Sequence, residues 1–128
     1  MTAKSRSHRI LSRLENYEMR PLTKVEENAA GEIAQSLGEF IGVYAADQQT
    51  GKVYFFERGL RCERWESDTI LYEDISGVSL PDDKNSKYIE ITSNRETVKI
   101  FPAKSGDIFS IMRYFDRIIY DVKNNLEF

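Results

Sequence analysis

The chain has 128 residues, 41% hydrophobic, 30% charged and 12% aromatic, the balance of one globular domain and not of a disordered chain. No stretch approaches the roughly 18 apolar residues of a spanning helix, Met1–Arg9 lacks the apolar core of a secretory signal, and a single cysteine, Cys62, excludes an internal disulfide framework; a soluble, cytoplasmic protein is the expectation. The net charge of −3 conceals an asymmetry, because residues 1–24 hold six Lys and Arg against two Glu and the remainder holds twelve against nineteen acids, so a basic arm precedes an acidic body.

Ile10, Leu11, Leu14 and Tyr17 fall at helical spacing, and Pro21 is expected to stop that helix near Arg20. Thr23-Lys24-Val25-Glu26 has the form of a capping box. Val25, Ala29, Ile33 and Leu37 follow at four-residue steps, a narrow apolar seam expected to pack on the domain, with Gly31 as a weak point and Gly38 as the stop.

The period then changes. Ile41 and Val43 alternate with Gly42 and Tyr44, Gln48–Gly51 is a turn, and Val53-Tyr54-Phe55-Phe56 is β-branched and aromatic throughout, a hairpin signal. Arg58-Gly59 turns into Leu60 and Cys62, which alternate with Arg61 and Glu63 toward Trp65. Ser67-Asp68 turns into Ile70-Leu71-Tyr72, and Ile75, Val78 and Leu80 carry a short strand ended at Pro81. Ile89 and Ile91, then Val98 and Ile100, form two more strands around Asn94-Arg95-Glu96. About seven short strands at intervals of about ten residues read as an antiparallel meander. Ile108, Ile111, Met112, Phe115, Ile118, Ile119 and Val122 form a broad apolar helical face behind a cap at Ser105 or Asp107, wide enough to cover a sheet.

Little here can do chemistry. The only His, His8, stands in the basic arm with no partner to orient it. Cys62 alternates with Leu60 and reads as a small buried hydrophobe. One Cys and one His fall short of a zinc site. Counted from Asp83, the loop Asp82–Tyr88 places Lys87 and Tyr88 where a calcium loop needs an oxygen ligand and Gly. Glu73 and Asp74 are adjacent and would point to opposite faces of a strand; Asp74 reads as an Asx turn. No glycine-rich phosphate loop is present. The expectation is a protein that is not an enzyme, with no cofactor and no metal.

Strands followed by one closing helix resemble the pleckstrin-homology-like superfold, in its small bacterial PH- and GRAM-type members. The passages that carry the resemblance are Gly51–Leu60, Ile70–Val78 with its Tyr72-x-Asp74-Ile75-x-x-Val78 pattern, and Ile108–Val122. The resemblance implies an α+β fold: about seven antiparallel strands in a partly open barrel over residues 40–128, capped by the C-terminal helix and preceded by a helical extension over 1–39. It also implies a binding module, whose partner fold alone does not choose.

Phosphoinositide-binding members cluster cations around the first strand loop, where this chain offers Lys52 beside Asp47, a poor site for a multiply charged headgroup. The first functional expectation is therefore a protein-interaction module, an adaptor or regulator, with an immunity or antitoxin-type protein as the specific version that an acidic surface suits. Its candidate residues are Tyr44, Arg61, Glu63 and Trp65. On a regular strand Trp65 stands exposed beside Arg64, an interface anchor; a bulge would turn it inward. The alternative is a peripheral membrane domain in which Arg6, Arg9, Arg13 and Lys52 supply anion attraction, about 1 kcal/mol per cation near a surface; the same arm is also readable as a solvated terminal helix. Nucleic acid is not expected, given the acidic body, and a sheet edge offers a route to a homodimer.

Overall fold

The computed structural model describes residues 2–83, 85–94 and 96–128. The chain forms α1 (Ala3–Leu11), β1 (Tyr17–Glu18), α2 (Lys24–Ala30), α3 (Ile33–Leu37), β2 (Phe40–Ala45), β3 (Lys52–Phe56), β4 (Gly59–Arg61), β5 (Thr69–Leu71), a 3-10 turn (Tyr72–Asp74), β6 (Ile75–Ser79), β7 (Ile89–Ser93), β8 (Thr97–Ile100) and α4 (Asp107–Lys123). The class is α+β. The strands make two antiparallel sheets, ordered β1-β2-β3-β4-β5 and β6-β7-β8, and do not close into one barrel. Among the described residues no helix is long and apolar enough to cross a membrane.

The N-terminal segment departs from the expected single helix. The Thr2 hydroxyl accepts the Ser5 amide at 3.2 Å and starts α1. The helix ends at Leu11, not near Arg20, because the chain turns there: the Leu14 amide donates to the Leu11 carbonyl at 2.9 Å. Extended backbone then places Tyr17 and Glu18 beside Tyr44 and Val43 as an extra edge strand. Ile10, Leu11 and Leu14 are all buried in the main core. The Ala3 and Lys4 amides donate to the carbonyls of Glu127 and Phe128 at 2.9 and 3.1 Å, so α1 lies along α4 with the chain ends joined.

The capping box forms as its spacing requires: the Thr23 hydroxyl accepts the Glu26 amide and the Glu26 carboxylate accepts the Thr23 amide. The seam that follows does not face inward as one stripe: of its described positions only Leu37 does. Val25 is 79% exposed and Ala29 is exposed, while Ala30 and Leu37 are buried; the Ile33 side chain lies outside the described residues. Gly31, with φ +56°, ends α2 and breaks the helical phase between the two pairs.

β2 also changes phase. A bulge between Phe40 and Gly42 lets Ile41 and Tyr44 both enter the main core while Val43 faces a second cluster of Leu37, Tyr54 and Phe56. Gly42 is required there, since a Cβ would stand 2.2 Å from the Tyr17 hydroxyl and 2.7 Å from the Glu18 carbonyl oxygen. β3 is apolar at four successive positions because both faces are covered: Val53 and Phe55 on one side, Tyr54 and Phe56 on the other.

Helix α4 lays Ile108, Ile111, Phe115 and Ile118 between the sheets, and adds Tyr114, whose ring packs edge-on against Phe55 with centroids 4.9 Å apart. The Tyr72 hydroxyl donates to the Phe56 carbonyl at 2.9 Å and is hydrogen-bonded to the Tyr114 hydroxyl. Burial pushes both phenols above their ordinary range. Neither expected side-chain cap of α4 forms. The N-cap is Gly106, and Asp107 is the first helical residue.

Candidate functional site

Of the four residues expected at a partner-binding surface, three are interior. Tyr44 is fully buried; its hydroxyl donates to Asp107 Oδ2 at 2.7 Å and accepts the Ala103 amide at 2.8 Å. It therefore ties β2 to the start of α4, and burial followed by the Asp107 bond pushes its phenol pKa up. Trp65 is 9% exposed and belongs to the main core. β4 ends at Arg61, and successive turns follow in which the Trp65 amide donates to the Cys62 carbonyl at 3.2 Å and the Asp68 amide to the Trp65 carbonyl at 3.1 Å. Strand phase therefore stops before Trp65, which takes the inward alternative beside Cys62.

Arg61 is 6% exposed. Its Nη2 donates to the Ala29 carbonyl at 3.4 Å and stands 3.6 Å from Asp68 Oδ2, with Nη1 3.6 Å from Glu63 Oε1. A cation against the last turn of α2 is favourable, so Arg61 holds that helix on the sheet. Only Glu63 is exposed. These four residues do not form a surface patch.

The cations expected to attract an anion fare differently. Lys52 is exposed at the start of β3 and Arg13 just beyond α1. The loop before Lys52 is organised on itself: Asp47 Oδ1 accepts the Gln49 and Thr50 amides at 2.9 and 3.0 Å, and the Arg64 guanidinium donates to the Gln48 and Gln49 carbonyls. Arg6 and Arg9, by contrast, line a groove of about 550 Å³ with Ile10, Arg113, Asp116, Arg117 and Tyr120, formed where α1 lies along α4.

Asp121 sets the groove's electrostatics. It is 2% exposed. Arg6 reaches its Oδ2 through Nε at 3.3 Å and Nη2 at 3.2 Å, while Arg117 Nε stands 3.2 Å from Oδ1. One buried carboxylate is thus hydrogen-bonded by Arg6 and lies within ion-pair distance of Arg117. Arg117 also lies over Tyr120, 5.3 Å from the ring centroid, a cation–π geometry. Arg9 and Arg113 are exposed and take part in no ion pair among the described residues. Four guanidiniums face one groove carboxylate, Asp116, and the shared Asp121.

Arg113, Arg117 and Tyr120 were absent from the residues singled out by sequence. Their signal was i, i+4, i+7 spacing on the polar face of the last helix, beside Arg6, Arg9 and Arg13 at i, i+3, i+7. Nothing in either helix alone says that the two faces meet.

The remaining chemistry-bearing groups are structural. Cys62 is buried, its Sγ donates to the Thr50 carbonyl at 3.2 Å, and burial pushes its thiol pKa up, the reverse of an activated nucleophile. Asp83 accepts the Asn85 amide at 2.9 Å and the Ser86 hydroxyl at 3.1 Å, making its loop a polar Asx turn. Asp74 lies in the 3-10 turn, where its carbonyl accepts the Asn94 amide at 3.2 Å. No metal-binding group of acids, His and Cys is present among the described residues. Comparison with family models, curated proteins and solved structures finds no match to this chain.

Proposed function

We propose that the protein is a non-catalytic interaction module of pleckstrin-homology-like architecture, an adaptor or regulator that captures a partner protein on the face formed by α1 and α4. The architecture rests on strand order: four antiparallel strands β2–β5, a corner through the 3-10 turn, three strands β6–β8, and the helix that packs into them. The observation that carries the function is the groove, in which Arg9 and Arg113 stand exposed and without an ion pair among the described residues while Arg6 and Arg117 pair with Asp121. The paired arginines line the wall beside a buried carboxylate, and the exposed ones are of the residue type that dominates interface energetics.

The buried polar groups elsewhere, Tyr44 with Asp107 and Tyr72 with Tyr114, join α4 to the sheets and support a scaffold role. The membrane alternative draws less support, because Lys52 does not line the groove and Asp116 puts a carboxylate inside it.

The test is affinity capture from native lysate with the wild type and with an Arg9→Glu/Arg113→Glu variant. A stoichiometric partner retained by the wild type and lost by the variant, at unchanged thermal midpoint, is the expected outcome. A partner retained equally by both removes the groove from the function.

A further inference from the structure

We infer that the occupant of the α1–α4 groove is an acidic segment of a partner protein, bound with a carboxylate between Arg9 and Arg113 and an apolar side chain against Tyr120. The inference rests on the reading of this face as a protein-interaction surface and supplies the partner's chemistry.

Charge is the first argument. The whole chain carries −3, yet the groove gathers four guanidiniums against Asp116 and the shared carboxylate of Asp121. A local excess of positive charge on an acidic protein is a field suited to an anionic segment. A duplex or a lipid surface presents its charges over an area wider than one groove; a carboxylate on a peptide is a single planar anion that one guanidinium binds through two parallel hydrogen bonds.

Shape is the second argument. The groove is shallow and open, lies between the faces of α1 and α4, and has apolar elements in Ile10, which is 7% exposed, and in Tyr120, which is 54% exposed. The groove's volume of about 550 Å³ accommodates a peptide side chain. Tyr120 also lies against Arg117, which places its ring beside the cations that would take the carboxylate.

The carboxylate of Asp116 is the third. It stands one helical turn from Arg113 and Tyr120 on the same face of α4. It penalises a densely charged polyphosphate and leaves a spaced acidic peptide, whose charges can straddle it, as the favoured anion.

The experiment uses the full chain and fluorescence anisotropy with a labelled Glu-rich peptide that carries a single Leu. The same peptide with Gln for Glu, phosphatidylserine vesicles and a single-stranded oligothymidylate are the comparison probes. The expected result is saturable binding of the Glu peptide that weakens with added salt. It should fall by about tenfold or more with the Gln peptide or with Arg9→Glu/Arg113→Glu, and Tyr120→Ala should weaken it with the salt dependence preserved.

Equal binding of the Glu and Gln peptides, or vesicle or oligonucleotide binding stronger than peptide binding, overturns the inference. Failure of the peptide alongside a captured partner that the double variant loses sinks the acidic-segment assignment and leaves the interaction face standing. Failure of both, with the double variant folded, sinks the face itself.

Discussion

Tyr44 carries the sharpest consequence at the level of a single side chain. Its hydroxyl donates to Asp107 and accepts from the Ala103 amide, and both partners sit where water does not compete freely: Tyr44 is fully buried and Asp107 is 8% exposed. Removing the hydroxyl in Tyr44→Phe leaves the ring in place and strands a carboxylate oxygen and an amide. An unsatisfied buried group costs about 1–3 kcal/mol, more when charged. Urea denaturation should therefore show Tyr44→Phe destabilised by about 2 kcal/mol or more, while Glu63→Ala, at an exposed position with a 3.6 Å contact to Arg61, should change stability by less than about 1 kcal/mol. Equal effects would mean that the Tyr44 hydroxyl is not bonded as described. Trp65 teaches the same lesson about local phase. Alternation from Leu60 through Cys62 is sound only while the chain is extended, and the turns after Arg61 put Cys62 and Trp65 on the same side.

At the level of elements, the capping box of α2 links a pH response to a local motif. The Glu26 carboxylate is held well below the usual range, first by its hydrogen bonds from Arg20 at 2.6 and 3.0 Å and then by the Thr23 amide. A carboxylate whose pKa is lower when folded contributes stability that is fully present above the unfolded value of 4.5 and is lost as pH falls below it toward the folded value. Thermal midpoints measured down through that window should fall more steeply for the wild type than for Glu26→Gln, and the two should converge in acid. Parallel curves would mean that the carboxylate makes no net contribution.

This motif was legible in sequence because both its partners lie within four residues. The covered strand β3 and the apolar face of α4 were legible for a similar reason, their signals being local and repeated. What escaped was set by contacts between distant segments. The bulge in β2 brings Gly42 under Tyr17, a contact between segments 25 residues apart. The basic groove depends on α1 meeting α4, more than 90 residues apart in the chain.

For the molecule as a whole, the decisive feature is that the basic N-terminal segment is part of the core and one wall of the groove at once. Leu11 is fully buried, Ile10 and Leu14 nearly so, and all three pack in the cluster that contains Phe115 and Ile118 of α4. The Arg6–Asp121 pair and the bonds from the Ala3 and Lys4 amides to the last two carbonyls fasten the same helix along its length. Deleting residues 1–24 is therefore no test of an anionic attraction, since it uncovers the apolar side of α4 together with the charge it removes. Leu11→Ala isolates the packing contribution and should cost about 2–5 kcal/mol, the range for a fully buried Leu truncated to Ala, with binding at the groove retained by whatever fraction stays folded. Arg9→Glu/Arg113→Glu should do the reverse, sparing stability and abolishing binding. Denaturation and binding measured on the two variants side by side separate the helix's two roles. If Leu11→Ala left the denaturation midpoint unchanged, α1 would be an arm resting on the surface, and the groove it forms with α4 would not be a fixed part of the fold.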